Sequence, residues 1–167
     1  MFKINRKNYE KTMQFFSQYK YCRLILKIIY KYLPMLIFIG YPILITYVFF
    51  AERNEFLKVT LAPFGVFVFV TILRKLINEQ RPYEKYDISS VFNKKTQGQS
   101  IPSRHTASAF IIAMTFLYIN FFVGIAALAI AVLIGLSRIL AGVHFVRDVL
   151  VGTGIAVIAG IVFLFLI

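Results

Sequence analysis

The chain has 167 residues, of which 59% are hydrophobic, and 19 basic residues against 7 acidic ones give it a formal net charge of +12. A mean hydropathy of +0.75 and a charged fraction of 16% exclude an ordinary soluble domain, in which about a quarter of the residues are charged. In so apolar a chain the basic excess indicates contact with anionic lipid headgroups, and no nucleic-acid partner is expected.

The first predicted element is a basic amphipathic helix from Asn8 to Tyr32. Apolar and aromatic side chains recur there three or four residues apart, with lysine and arginine between them. This pattern favours a helix that lies on the membrane surface. Two interpretations stay open: a solvated, positively charged anchor, or a helix that borders the functional site and gathers anionic lipid. We divide the chain into this N-terminal helix, residues 1–32, and a membrane domain, residues 33–167.

Five apolar segments follow, and each is long enough or nearly long enough to cross a bilayer at 1.5 Å per residue. They are Leu33–Phe50, Leu57–Leu73, Thr106–Ile119, Phe121–Leu136 and Val149–Ile167. The third is slightly short unless its helix begins before Thr106, and Asn120 predicts a tight turn after it. The predicted fold is therefore all-α: an integral, multi-pass bundle of about five transmembrane helices in a cell membrane, plus the surface helix.

Polar residues that are costly inside a membrane are grouped near the ends of these segments. His144 and Asp148 are four residues apart, so on a helix they would share a face and the carboxylate would hold one imidazole nitrogen. The other nitrogen would then be free to attack phosphorus. Arg138, six residues before His144 and across a predicted bend at Ala141-Gly142, offers paired donors to phosphate oxygens.

Two further groups of residues point to the same chemistry. His105 follows Ser103 where a new helix is predicted to begin, so backbone N–H groups favour an anion there and the imidazole would protonate a leaving oxygen. Arg74 and Arg81 are seven residues apart, which places them two turns apart on one helix face, and Pro82 is expected to end that helix.

These residues resemble the type 2 phosphatidic acid phosphatase superfamily, membrane lipid phosphatases that show three motifs in order. The third motif, Ser-Arg, five residues, His, three residues, Asp, is complete in Ser137, Arg138, His144 and Asp148. The second, Pro-Ser-Gly-His, appears with arginine in the glycine position as Pro102-Ser103-Arg104-His105. The first, lysine, six residues, Arg-Pro, appears with arginine in the lysine position as Arg74, six residues, Arg81-Pro82; Lys75 is one position away.

The resemblance implies a role for each of these side chains. His144 would be the nucleophile, Asp148 would orient it, and His105 would protonate the leaving group. The residues implied to bind the substrate are Arg74, Arg81, Ser103, Arg104 and Arg138. For Arg104 two roles stay open, contact with a second phosphate or headgroup of the substrate and contact with lipid phosphate in general. No metal and no cofactor are implied, and two histidines with few acids leave no evident metal cage in the sequence.

The predicted function is that of a bacterial lipid phosphatase acting on a phosphate monoester or pyrophosphate through a phosphohistidine intermediate. Candidate substrates are phosphatidylglycerol phosphate, phosphatidic acid and undecaprenyl pyrophosphate. Two alternatives stay open: phosphoryl transfer to an acceptor other than water, and a non-enzymatic protein that binds anionic lipid. The pair of His144 and Asp148 discriminates between catalysis and binding, because binding alone does not need it. The sequence predicts no oligomeric state.

The membrane side of the site is ambiguous. With five spans, the N-terminus and all three motifs lie on one side, which carries 17 of the 19 basic residues, so the positive-inside rule places the site in the cytoplasm. The resembled family favours the outer face and six spans. A sixth span would bury Lys20, Arg23 and Lys27 in lipid, which is costly, so we expect five spans and leave the side open.

Overall fold

A computed structural model of the chain describes residues 6–167, and every regular element in that range is helical, which confirms the predicted all-α fold. The helices are α1 (Arg6–Gln18), α2 (Lys20–Ala51), α3 (Phe56–Ile77), α4 (Pro82–Lys85), α5 (Arg104–Ile119), α6 (Phe121–Leu140) and α7 (Val146–Gly160). A 3₁₀ turn, Arg53–Glu55, joins α2 to α3, and a π-helical segment, Ile161–Leu166, extends α7.

The N-terminal region differs from the prediction in where its helix breaks. The break lies at Tyr19, whose backbone is extended, and α2 then runs through the predicted first span without interruption. Its 32 residues reach about 48 Å, which exceeds a hydrocarbon core of about 30 Å. The first turns of α2, with Lys20 and Arg23, can therefore lie outside that core. Residues 1–5 of the predicted N-terminal helix are outside the described range, and the division at residue 32 stays a prediction.

Four helical stretches of residues 6–167 are long and apolar enough to cross a membrane: Lys20–Ala51, Arg53–Lys85, Phe121–Leu140 and Val146–Leu166. The remaining predicted span corresponds to α5, whose 16 residues reach only about 24 Å. Although it is short, α5 is the central helix of the bundle. Ten consecutive residues of it, 106–115, are buried, and it packs against α2, α3, α6 and α7.

The turn between α5 and α6 is as tight as the sequence predicts. Asn120 alone separates the two helices, and its side chain accepts a hydrogen bond from the backbone N–H of Val123 at 3.1 Å, which caps α6. The helices then approach closely at Gly124, where a Cβ atom would lie 2.1 Å from the Cα of Leu117. Glycine is therefore required at this position for the α5–α6 contact.

A second close approach joins α7 to the segment before α5. A Cβ atom at Gly152 would lie 2.8 Å from the carbonyl oxygen of Ser103, so glycine lets α7 pack directly on that backbone. Gly154 makes no such close approach, since a Cβ there would meet nothing within 4 Å.

The antiparallel order of the helices brings all three motifs to one end of the bundle. The last turns of α3 and α6 meet the first turns of α5 and α7 there, together with α1, α4 and the irregular segment 86–103. We call this the motif end. The opposite end, formed by the 3₁₀ turn, Asn120 and the last residues of the chain, is the far end.

Candidate active site

The candidate nucleophile lies in the turn between α6 and α7. Gly142 takes a φ of +72° in this turn, and His144 precedes α7 by two residues, so it does not share a helix face with Asp148 as the sequence predicted. Its Nδ1 atom nevertheless lies 3.5 Å from Oδ2 of Asp148, an ion-pair distance that is long for a hydrogen bond. Because Nδ1 faces the carboxylate, Nε2 is the nitrogen left for attack.

The Asp148 carboxylate is held from two sides. The Ser100 hydroxyl and the backbone N–H of Phe145 both donate to Oδ2, the latter at 2.9 Å, and the second bond also caps the first turn of α7. The backbone N–H of Ser103 donates to the carbonyl of Asp148 at 2.9 Å. These bonds join the second and third motifs and fix the carboxylate beside His144.

The two arginines of the first motif do not share a helix face. α3 ends at Ile77, and Asn78 takes the left-handed conformation with φ +43°. The chain therefore turns before Arg81, and Pro82 begins α4 instead of ending α3. The prediction that Arg74 and Arg81 share a helix face is wrong, because α3 ends between them.

Both arginines nevertheless reach the same stretch of backbone. Arg74 Nε donates to the carbonyl of Gln99 at 3.0 Å, and Arg81 Nε donates to the carbonyl of Gly98 at 3.0 Å. Arg74 and Arg81 are 6% and 9% exposed, whereas Lys75 is exposed. Arg74 is therefore the inward-facing cation of this motif.

Residues 98–100, which we call the bridging segment, connect the first motif to Asp148. Besides accepting from both arginines, the segment donates from the Gly98 N–H to the Glu84 carboxylate at 2.9 Å. The same carboxylate accepts from the backbone N–H of Arg81 at 2.8 Å. At its other end the segment supplies the Ser100 hydroxyl that donates to Asp148.

Arg138, at the end of α6, faces the same region from the other side. Its Nη2 donates to the carbonyl of Tyr30 at 3.1 Å, and its guanidinium lies 3.9 Å from the centroid of the Tyr30 ring, a cation–π contact. It is 4% exposed, and its Nε atom has no hydrogen-bond partner in the described chain. The carbonyl of Arg138 accepts from the backbone N–H of His144 at 3.3 Å.

The second motif begins α5, as predicted. Ser103 is the residue before the helix, fully buried, with its hydroxyl 2.9 Å from that of Thr106. His105 is exposed in the first turn, and the charged groups acting on it include Arg138 and Arg74. The guanidinium of Arg104 lies 5.5 Å from the ring centroid of Phe67, on the side of α3. His105 thus faces the site, while Arg104 lies toward the surface of α3.

The charge balance of this region is uneven. Within residues 6–167, every buried arginine, lysine, histidine, aspartate and glutamate belongs to this one cluster: Arg74, Arg81, Arg138, His144 and Asp148. Burial is the main cause that lowers the pKa of His144 to about 4; Asp148 opposes the shift, and the charges of the two first-motif arginines add to it. The imidazole is therefore neutral near pH 7, and three guanidiniums against one carboxylate leave an excess of two positive charges.

An excess of two positive charges suits a phosphate group. A phosphate monoester carries about −1.5 to −2 near pH 7, and guanidinium donors match its oxygens. Within residues 6–167, no three histidine, cysteine, aspartate or glutamate side chains are grouped so that they could hold a metal ion. That the reaction needs no metal and no cofactor stays a prediction.

Sequence reasoning missed several side chains that hold the site together. Ser100 lies two residues before the proline of the second motif, and this nearness is the one feature of the sequence that indicates a role for it in the site. The hydroxyl of Tyr9 donates to the carbonyl of His144, 135 residues away. Tyr30 contacts Arg138, 108 residues away. No pattern in the sequence links either pair. Glu84, which no motif in the sequence marks, fixes the bridging segment by accepting from the backbone N–H of Gly98.

Taken together, the fold and the site define a class: a membrane-embedded bundle of helices whose motif end encloses a buried cluster of arginine, histidine and aspartate. The sequence profile of the PAP2 superfamily matches residues 55–167. The chain therefore belongs to the PAP2 superfamily, whose members are phosphatases, and the predicted family is confirmed.

Solved structures agree with this assignment. The crystal structure of Aquifex aeolicus LpxE is similar at a TM-score of 0.71 and 30% identity, over 84% of this chain and 86% of that one. A PAP2-type phosphatidylglycerolphosphate phosphatase from Bacillus subtilis is similar at a TM-score of 0.56 and 22% identity, over 95% of this chain and 74% of that one. At that identity the second likeness shows the fold alone. No curated protein sequence matches the chain.

Proposed function

We propose that this chain is a multi-pass lipid phosphatase of the cell membrane that hydrolyses a lipid phosphate monoester or pyrophosphate through a phosphohistidine at His144. The observation that carries the proposal is the buried, desolvated excess of two positive charges around a neutral imidazole. Burying cations without matching anions is costly. A dianionic substrate would supply the missing negative charge.

In the first step, the lone pair of His144 Nε2 forms a bond to phosphorus while the bond from phosphorus to the lipid oxygen breaks. The bound phosphate dianion favours a proton on His105, and His105 gives that proton to the lipid oxygen as the lipid product leaves. The phosphorylated imidazole keeps its proton on Nδ1 and becomes positively charged. Asp148, with Oδ2 3.5 Å from Nδ1, stabilises that charge.

In the second step, water replaces the histidine. His105, now neutral, takes a proton from a water molecule as the water oxygen attacks phosphorus. The bond between nitrogen and phosphorus breaks, its electron pair returns to Nε2, and inorganic phosphate leaves. The exposed position of His105 suits a group that must meet both the leaving lipid and water.

The arginines would hold the phosphate oxygens through both steps. A guanidinium has five N–H donors, and within residues 6–167 Arg74, Arg81 and Arg138 each use one or two of them on backbone carbonyls. The remaining donors are available to a ligand. Ser103 and the first N–H groups of α5 add donors at a helix N-terminus. For Arg104, contact with a second phosphate or headgroup and contact with general lipid phosphate both remain open.

The substrate class is supported by an apolar groove between α3 and α7, the helices that carry Arg74 and Asp148. The groove has a volume of about 890 Å³, and on α3 it is lined from Phe69 to Leu57. At 1.5 Å per residue these residues lie about 8 and 26 Å below Arg74. A lipid whose phosphate meets the arginines could place a hydrocarbon chain there. Phosphatidylglycerol phosphate, phosphatidic acid and undecaprenyl pyrophosphate all fit this description.

The test is phosphate release by purified protein in detergent from each of these three lipids. We expect release from at least one of them, and we expect His144→Ala to reduce it at least 10⁴-fold, because the nucleophile is lost. Arg53→Ala, which removes an exposed cation at the far end, is the matched control and should retain full activity. Full activity in His144→Ala would overturn the mechanism, and absence of release by the unaltered protein would favour an anionic-lipid-binding role.

A further inference from the structure

Helix α1 lies outside the region that matches the PAP2 profile, which begins at residue 55, yet it contacts the candidate nucleophile. Tyr9 of α1 is 3% exposed, and its hydroxyl donates to the backbone carbonyl of His144 at 3.1 Å. Its ring packs edge-on against Phe145, with the ring centroids 5.8 Å apart. An N-terminal helix thus reaches the residue on which the proposed chemistry depends.

A second contact lies one helical turn further along α1. A Cβ atom at Gly142 would lie 2.8 Å from the sulfur of Met13, so the Met13 side chain rests directly on the turn that carries His144. Residues four apart share a helix face, and Tyr9 and Met13 therefore seat one face of α1 on this turn. The left-handed conformation of Gly142 leaves the space that Met13 fills.

With the Tyr9 contact in place, both the N–H and the carbonyl of His144 have hydrogen-bond partners. Its N–H donates to the carbonyl of Arg138 at 3.3 Å, and its carbonyl accepts from Tyr9. Burial raises the pKa of the Tyr9 hydroxyl, so it keeps its proton and donates at all physiological pH values. With both backbone groups fixed, the Cα–Cβ bond that carries the imidazole points in a fixed direction as well.

We propose that Tyr9 is a positioning residue for the nucleophile, and that α1 is a strap that holds the turn at residues 141–145 in the geometry in which Nδ1 faces Asp148. The proposal rests on the proposed role of His144. Without the Tyr9 hydroxyl, the buried carbonyl of His144 would lack a donor, so the turn would shift or admit water. Either change would misplace Nε2 and rehydrate the imidazole.

The test compares Tyr9→Phe with the unaltered protein. Phenylalanine keeps the ring contacts and removes only the donor. We expect kcat to fall about three- to tenfold, the size of one neutral hydrogen bond, while KM stays the same because Tyr9 is not among the phosphate-holding groups. Tyr21→Phe is the matched control, since Tyr21 is 81% exposed, and it should behave as the unaltered protein.

A second readout separates positioning from simple loss of stability. Water admitted beside His144 should move the acid limb of the kcat/KM profile upward toward pH 6.5. The other ionisable groups that face or act on this imidazole are unchanged in the variant: Asp148 from α7, Arg138 from α6, Arg74 from α3, His105 from α5, and Arg81. A purely structural role of Tyr9 would lower the folded fraction and leave kcat and the pH profile of the folded protein unchanged.

If Tyr9→Phe has unaltered kcat and an unaltered pH profile while His144→Ala is inactive in the same assay, the proposed positioning role of Tyr9 and α1 is wrong. Activity in His144→Ala would instead overturn the proposed function itself. If Tyr9→Phe does not fold, hydrogen exchange of the unaltered protein in detergent tests whether α1 is docked on the turn that carries His144. We expect the amides of α1 and of residues 143–144 to exchange together, whereas exchange of α1 at the rate of an undocked helix would contradict the proposal.

Discussion

Two polar clusters lie at opposite ends of the helical bundle, and they differ in how their charges are balanced. At the far end, Tyr118 donates to Glu55 at 2.6 Å, Lys58 donates to the Tyr118 hydroxyl at 3.3 Å, and the lysine and glutamate lie 3.7 Å apart. The charged side chains of this cluster are about one third exposed, at 29% and 33%. Lys58, Glu55 and the Tyr118 hydroxyl therefore balance one another's charges and pair one another's hydrogen-bonding groups.

The motif end is built in the opposite way. In the part of the chain that the structure describes, three arginines are buried there with a single buried carboxylate, and their guanidiniums donate to backbone carbonyls instead of to acids. A surface cluster that satisfies itself contributes little beyond local structure. A buried cluster with excess charge and unused donors is organised for a ligand of opposite charge, and a phosphate group is such a ligand.

The largest effect on phosphate release is expected from removing one charge at each end. Arg81→Ala should lower kcat/KM about 10²- to 10³-fold, since a preorganised donor to a reacting phosphate is lost, whereas Glu55→Gln in the far-end cluster should change it less than twofold. Both are measured as phosphate release from the lipid substrate. Equal effects of the two substitutions would show that the distinction between the clusters is wrong.

The pH dependence tests the desolvation of the motif end. Because the pKa of His144 is lowered to about 4, the imidazole stays neutral as the pH falls below its ordinary value of 6.5. After correction for the titration of the substrate phosphate, whose pKa is about 6, the acid limb of kcat/KM should lie near pH 4. A limb at pH 6.5 would indicate that His144 is solvated.

The same lowered pKa has a consequence for stability with a defined sign. Between pH 6.5 and about 4 the unfolded chain binds a proton at His144 that the folded protein does not bind, so stability falls as the pH falls through this window. The unfolding temperature should therefore decline less steeply in His144→Asn than in the unaltered protein. Identical slopes would argue against a buried neutral imidazole.

A smaller effect is expected from the bridging segment. Ser100→Ala removes a donor to the Asp148 carboxylate and leaves the donor from Phe145 in place. We expect kcat to fall about tenfold, the size of a hydrogen bond to a charged group, with little change in KM. Ser17→Ala, an exposed serine of α1, is the control. Unchanged kcat in Ser100→Ala would mean that the Phe145 N–H and the Arg147 guanidinium, 3.6 Å from Oδ1, hold the carboxylate without the hydroxyl.

The smallest effect on catalysis is expected from filling the apolar groove that lies between the two ends. A Cβ atom at Gly65 meets nothing within 4 Å, and Gly65 lines the groove, so Gly65→Leu should fill it without strain. We expect KM for a long-chain lipid phosphate to rise several-fold and turnover of a short-chain, water-soluble phosphate to stay unchanged. Gly154, equally open but outside the groove lining, supplies the matched control Gly154→Leu. Equal KM values for the two variants would exclude the groove as a chain site.

The sequence predicts those parts of the molecule that depend on local pattern. Hydropathy locates the apolar helices, and the spacing of the motifs identifies the arginines, both histidines and Asp148. The start of α5 at the second motif and the turn at Asn120 follow from breakers and caps that act within a few residues.

The errors arise where a short turn replaces a regular helix. The spacing of Arg74 and Arg81 suggests one helix face, but the left-handed Asn78 ends α3 between them. His144 and Asp148 are likewise four apart without sharing a helix, since the turn around Gly142 precedes α7. The side chains still converge, because contacts with the bridging segment and with Asp148 hold them in place. Spacing therefore selected residues that the structure brings together, although for partly wrong geometric reasons.

Long-range partners could not be predicted from the sequence. Tyr9 and Tyr30 reach the third motif only because α1 and α2 fold back on the motif end, and tertiary packing decides such contacts. The break at Tyr19 has the same origin, since the amphipathic pattern continues across it while α1 turns toward the His144 loop. The interpretation that the N-terminal helix borders the site agrees with this position of α1; its attraction for anionic lipid stays a prediction.

The identity of the nucleophile is tested most directly by trapping the phosphorylated intermediate. Substrate labelled with ³²P on the scissile phosphate is mixed with the protein and quenched in alkali within milliseconds, and the labelled peptide is then mapped. We expect label that is stable to base, labile to acid and located on His144, with none in His144→Asn. Label on His105 or on a carboxylate, with full turnover in His144→Asn, would contradict the assignment of the nucleophile.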